Sequence, residues 1–202
     1  LRGLLIGERL GNGFVMYRDF YDTTGPLSAL VYRLLDFTFG RSIVSHRILS
    51  FVLICFNASI LSLQLVRSKA FKENNYLPGF FYILLVLAIP EGGTLSPMLM
   101  SSTFILLALS NVFRRVDNEA SDGLFLYAGL FLGIAVLFYL PAVTFFFILL
   151  VSLLLFSTAI PRRMLLYIYG LTVSLVLAIA NFYWYDAFDF FVHVDALVVL
   201  WV

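Results

Sequence analysis

The sequence predicts an all-α fold: a polytopic transmembrane helix bundle with an outer-side interfacial helix loop at its N-terminus. Three observations predict it. Of 202 residues, 62% are hydrophobic and only 12% charged, with a mean hydropathy of +0.99, whereas soluble domains are about 45–50% apolar and about 25% charged. Apolar runs near the roughly 17–25 residues that a helix needs to cross a bilayer recur along the chain. Basic residues gather between alternate runs, as successive crossings require.

The runs divide the chain into an N-terminal loop, residues 1–42, and a helix bundle, residues 43–202. Within the loop, residues 26–39 are amphipathic and too short to cross. Gly25 and Pro26 start that helix, Gly40 stops it, and Arg33 and Asp36 lie near each other on it. It suits a helix lying in the interface plane.

The expected crossings are 43–66, 77–90, 95–113, 124–140, 141–160, 164–182 and 187–202. The first carries His46, Arg47, Asn57 and Gln64 among its apolar residues. The second is short, and must tilt little, sit in thinned bilayer or re-enter on its own side. Ser96 followed by Pro97 fits an N-cap with proline at the first helical position. The run 124–160 carries Pro141 near its middle. One straight helix there would span about 55 Å, against a hydrocarbon core of about 30 Å. Proline removes a backbone donor and clashes with the preceding turn, so the run is expected to split there into two antiparallel helices.

Arg67, Lys69 and Lys72 flank one connection, Arg114 and Arg115 another, and Arg162 and Arg163 a third. The intervening turns hold Glu91, Pro141, Asp186 and Asp189 and no Lys or Arg. The positive-inside rule then places the N-terminal loop and the aromatic segment 182–191 on the outer side of the membrane. Arg2, Arg9, Arg18, Arg33 and Arg41 break that pattern, so the outer loop is expected to be structured. A start at Leu1 and an apolar end at Val202 lead us to expect a segment of a longer protein.

Several function classes are excluded or weakened. A net charge of +1 is too small for a nucleic-acid footprint. Cys55 stands alone and reads as a small buried apolar residue. No Walker loop, zincin pattern or nucleophile elbow is present, and no metal or cofactor is expected from the residues themselves. Phe145, Phe146 and Phe147 read as lipid-facing filler or core. His193 and Asp195 are two apart, a poor helical spacing for one ligand. Asp186 and Asp189 read as a hydrated loop. A transporter is disfavoured by the scarcity of intramembrane charge and of paired broken helices.

The informative stretch is Gly11 to Leu27, with Tyr17, Arg18, Asp19 and Asp22 at its centre, followed by Gly40-Arg41-Ser42 and by Arg47. In order and spacing it resembles the first outer loop of the GT-C superfamily, the polytopic glycosyltransferases that use polyprenyl-phosphate sugars. The resemblance implies a polyprenyl-phosphate lipid as substrate and Asp19 and Asp22 as catalytic or cation-positioning carboxylates. A divalent cation is then a possible cofactor. Tyr17, Arg18 and Arg47 become lipid-phosphate contacts, because a guanidinium pairs bidentately with phosphate oxygens. The family's usual acid falls at or before Leu1, and its doubled proline is Gly25-Pro26 here.

The structural alternatives stay open. Arg18 can pair with an aspartate and fix the loop, Arg47 can snorkel, and His46 can rest in the interface. Most of the remaining chain, including residues 75–82, 95–100 and 129–141, is similar to an uncharacterised Bacteroidota membrane family (DUF6427-like), which implies an inner-membrane location.

Gly129 and Gly133 form a Gly-x-x-x-Gly step that packs either within the bundle or against a partner membrane protein. Asn57, Ser59 and Gln64 read as interhelical glue, and membrane lipids are the first expected partner. Two functions remain. One is a non-catalytic subunit or scaffold of a cell-envelope assembly; the other is a lipid-linked-sugar glycosyltransferase acting on the outer side.

Overall fold

The computed structural model describes residues 25–40, 42–68, 76–89, 92–113, 123–156 and 160–184. Among them the chain folds into seven α-helices and no strand: α1 (Pro26–Phe39), α2 (Ile43–Arg67), α3 (Leu77–Ala88), α4 (Pro97–Phe113), α5 (Gly123–Phe138), α6 (Thr144–Phe156) and α7 (Ile160–Trp184). A 3-10 turn, Leu140–Val143, joins α5 to α6. The segment 187–202, expected to start a further crossing, lies outside the described residues.

Local chemistry sets the helix ends. Pro26 opens α1, where its missing N–H costs nothing. Gly40 closes that helix with φ +62° and ψ −164°, its N–H donating to the Asp36 carbonyl, a backbone conformation essentially confined to glycine. Ser42 caps α2 by accepting from the Ser45 N–H at 3.4 Å. Ser96 caps α4 by accepting from the Leu99 N–H at 3.2 Å, ahead of Pro97. The helix expected over 124–140 ends at Phe138, because Tyr139 is extended and Pro141 sits in the 3-10 turn.

Pairwise contacts fix the helix directions. Gly79 of α3 abuts Ala58 and Ser62 of α2, while Tyr82 meets Asn57, so these two helices run antiparallel. Ser101 of α4 donates to the Ala135 carbonyl of α5, and Ala108 clusters with Phe125 and Ala128, again antiparallel. Gly129 lies against Tyr167 and Leu171, and Gly133 against Leu171 and Ser174. Numbers climb together there, so α5 and α7 are parallel. The intervening α6 therefore runs back, and the chain reverses through residues 139–143.

Tyr32 of α1 stacks on His46 of α2 and donates to the Leu95 carbonyl just ahead of α4, while Asn57 meets Ser102. Hence α2 and α4 are parallel, and direction alternates from α2 to α7. One end of the bundle carries α1, residues 92–96 and the 139–143 reversal. The other carries Arg67, the end of α4, and Arg162 and Arg163.

The core is built from small residues and rings. Ala108, Phe125, Ala128, Leu132, Leu149, Leu153 and Tyr167 bury together between α4, α5, α6 and α7. A second cluster, Ala29, Tyr32, Leu35, Leu95, Met100 and Phe138, fastens α1 to the bundle. Gly25 seats that attachment, because its Cα lies against the Leu137 and Phe138 carbonyls, where a Cβ would collide.

Outward faces are apolar. Phe51, Val52 and Phe56 on α2, Phe80, Phe81 and Leu85 on α3, Phe147 and Ile148 on α6, and Leu165, Val176 and Leu177 on α7 are all at least half exposed. Only 33% of the most apolar window of α2, and 17% of that of α7, is buried inside the chain.

Candidate functional site

The buried face of α2 is polar. Its buried residues include His46, Ser50, Asn57, Ser62 and Gln64. Seven residues are close to two helical turns, so Ser50, Asn57 and Gln64 stand in one row, with His46 one turn before the first. The row from 46 to 64 rises about 27 Å, close to the thickness of a hydrocarbon core of about 30 Å. α3 and α4 flank its middle, since the Asn57 amide donates to the Tyr82 hydroxyl at 3.3 Å and to the Ser102 hydroxyl at 3.0 Å.

Four atoms of this row have no hydrogen-bond partner although they are buried: His46 Nε2, Ser50 Oγ, Asn57 Oδ1 and Gln64 Oε1. Ser50 and Asn57 are fully buried. A serine in a helix ordinarily bonds back to the carbonyl one turn earlier, as Ser59 does to Cys55 at 2.8 Å; Ser50 does not. His46 Nδ1 is 3.2 Å from the Ser42 carbonyl. In the neutral ring the Nδ1 proton makes that bond, leaving Nε2 as an acceptor. The unmet groups are thus mainly acceptors, each left unsatisfied at a cost of about 1–3 kcal/mol.

The residues singled out from sequence fall into three groups. Tyr17, Arg18, Asp19, Asp22, Arg41, Asp186, Asp189, His193 and Asp195 lie outside the described residues. Arg47 is exposed on the first turn of α2, one position from the buried face. His46 is buried against the chain: it is only 9% exposed and stacks on Tyr32 with ring centroids 6.0 Å apart.

Asn57 is the interhelical link expected of it. Ser59 is not, because it is exposed and bonds only its own helix. Gln64 is buried with its carbonyl unpartnered. Cys55 is half-buried and free. Among the described residues no three of His, Cys, Asp and Glu gather to hold a metal ion.

The Gly-x-x-x-Gly step packs internally. Gly129 and Gly133 are both buried against α7, and Gly170 of α7 returns the contact against Leu126, Gly129 and Leu130. Small residues on both sides let the backbones touch, and α7 of the same chain fills the face that a partner helix would need.

Sequence reasoning missed Ser50 as a member of the polar row, and Ser102 and Tyr82 as its flanking partners. The seven-residue recurrence of Ser50, Asn57 and Gln64 inside an apolar run was the available signal.

The architecture defines the class: among the described residues, an all-helical protein with two helices, α2 and residues 161–180 of α7, long and apolar enough to cross a membrane. The chain belongs to DUF6427, a family of unknown function, whose profile matches residues 26–195. The match takes in every described helix and begins after Asp22. Neither a curated protein nor a solved structure matches the sequence.

Proposed function

We propose that this chain is a multi-pass protein of the bacterial inner membrane and serves as a non-catalytic subunit or scaffold of a cell-envelope assembly. The observation that carries this reading is the inverted polarity of α2: Phe51, Val52 and Phe56 face outward while Ser50 and Asn57 are fully buried. Lipid solvates the first set, and burial inside the bundle suits the second. The alternating helix directions support successive crossings by the shorter apolar helices as well. The end bearing Arg67, Arg162 and Arg163 then faces the cytoplasm, which puts α1 on the outer side.

The scaffold reading draws support from α3. It has 12 residues, of which only Gly79 is buried, so about 18 Å of apolar helix is held by one face against α2. In this reading a neighbouring membrane subunit packs on the face of α3 that the described residues leave exposed.

A second reading, an outer-side glycosyltransferase using a polyprenyl-phosphate sugar, is favoured by the position of Arg47. It is exposed at the α1 end of the bundle, where a lipid phosphate would sit.

Exchanging Asp19 and Asp22 together for Asn, with Arg47→Ala in parallel, separates the two. The subunit reading expects unchanged surface glycans and an unchanged co-purifying partner for the double Asn variant. It also expects loss of that partner when Phe80 and Leu84 are changed to Ala. Loss of a surface glycan in the Asn variant would select the transferase.

A further inference from the structure

We propose that the polar row of α2 is a cation passage, closed in this conformation, through which a small monovalent cation crosses the bundle. This goes beyond the subunit reading; it rests on the membrane crossing by α2 in that reading and not on the subunit role. Four unpartnered atoms on one helix face are too many to be incidental packing, because membrane-embedded polar groups are ordinarily satisfied within the protein. They recur over the length of a crossing, at His46, Ser50, Asn57 and Gln64.

Their chemistry selects the guest. Two amide carbonyl oxygens, an imidazole lone pair and a hydroxyl offer electron pairs and carry no formal charge. Such groups coordinate a small monovalent cation, or accept from an ammonium ion, but do not neutralise a divalent one, which calls for carboxylates. Among the described residues no aspartate or glutamate stands on α2, α3 or α4.

The passage has a definite wall. Tyr82 of α3 and Ser102 of α4 hold the Asn57 NH2 group, so its carbonyl is left as the free end. Gly79 lets α3 sit directly on Ser62 and the Ala58 backbone, between Asn57 and Gln64 in the helix register. At the outer end the Tyr32 ring covers His46. Movement of α3 or α1 away from α2 would join the acceptors into one line.

The test uses the full chain in lipid vesicles with Cys55→Ala, so that one introduced thiol reports at a time. Ser50→Cys places a thiol in the row with little change of volume, and Val52→Cys places one on the lipid face of the same helix. Silver ion is the probe, since it is small, monovalent and captured by thiols only where ions reach.

The proposal expects Ser50→Cys to react at least tenfold faster than Val52→Cys. It also expects Asn57→Leu or Gln64→Leu in the Ser50→Cys background to slow that reaction severalfold. Thallium(I) entry into vesicles, read by quenching of a trapped dye, should fall by the same factor. A Ser50→Cys rate no faster than that of Val52→Cys overturns the proposal. Fast reaction indifferent to both leucine variants overturns it as well, because ions would then reach the row without being held by it. Both leucine variants are read only as monodisperse protein, and either one alone suffices.

Discussion

Gly129 rests against the backbone of Tyr167, so closely that no side chain fits between α5 and α7. The contact repeats one turn on, where Gly133 meets Ser174, and Gly170 returns it from the other helix. Three glycines thus set the spacing of the two helices that make the tightest pair in the bundle.

Gly129→Ala is therefore expected to destabilise the protein by about 1–3 kcal/mol, the usual cost of overpacking. The added methyl meets backbone of α7, which cannot rotate away. Gly93→Ala is the control, because a Cβ there has only ordinary contact with Leu87 Cδ2 at 3.9 Å. Thermal unfolding in detergent should show a clear fall in midpoint for the first and almost none for the second.

Ser102→Ala removes the 3.0 Å acceptor of the Asn57 amide. Interhelical hydrogen bonds in membrane proteins average about 0.6 kcal/mol and reach about 1.7, and the loss should fall in the upper half of that range because Asn57 is fully buried. Ser59→Ala, on the exposed side of the same helix, should be near neutral. Equal effects of the two substitutions on the unfolding midpoint would remove Asn57 from its place between α2 and α4.

Tyr32→Phe deletes the hydroxyl that donates to the Leu95 carbonyl at 3.1 Å and leaves the ring over His46. The expected cost is about 0.5–1.5 kcal/mol, felt locally at α1. Limited proteolysis should cut near α1 sooner in the variant, with the remaining helices unaffected. A uniform rise in cleavage along the chain would mean that α1 does not open separately.

The membrane orientation can be read with two thiols. Thr38→Cys on α1 and Ser68→Cys after α2 are both exposed and stand at opposite ends of the bundle. In intact cells with the outer membrane permeabilised, a charged maleimide should label position 38 and spare position 68. Labelling of both from one side would contradict the crossing by α2.

Much of the architecture was legible in the residues because the governing signals are local. Pro26 and Gly40 delimit α1, Ser96 and Pro97 start α4, and Pro141 marks the reversal after α5, each through a backbone constraint visible within a few positions. The Tyr17 to Asp22 motif drew attention because charged residues stand out in an apolar chain. The polar row did not, since serine, asparagine and glutamine are individually unremarkable in a crossing helix.

The helical class, the apolar surface and the helix ends all follow from composition and from constraints on single residues or single turns. Long-range packing alone shows that Gly129 and Gly133 are used up against α7, that His46 lies under Tyr32, and that Ser50, Asn57 and Gln64 face inward with one oxygen each unpartnered. The reason is physical: whether a hydroxyl or amide is satisfied depends on atoms far away along the chain. Seven-residue spacing puts three polar groups on one face, but only packing against α3 and α4 shows which of their hydrogen bonds go unmade.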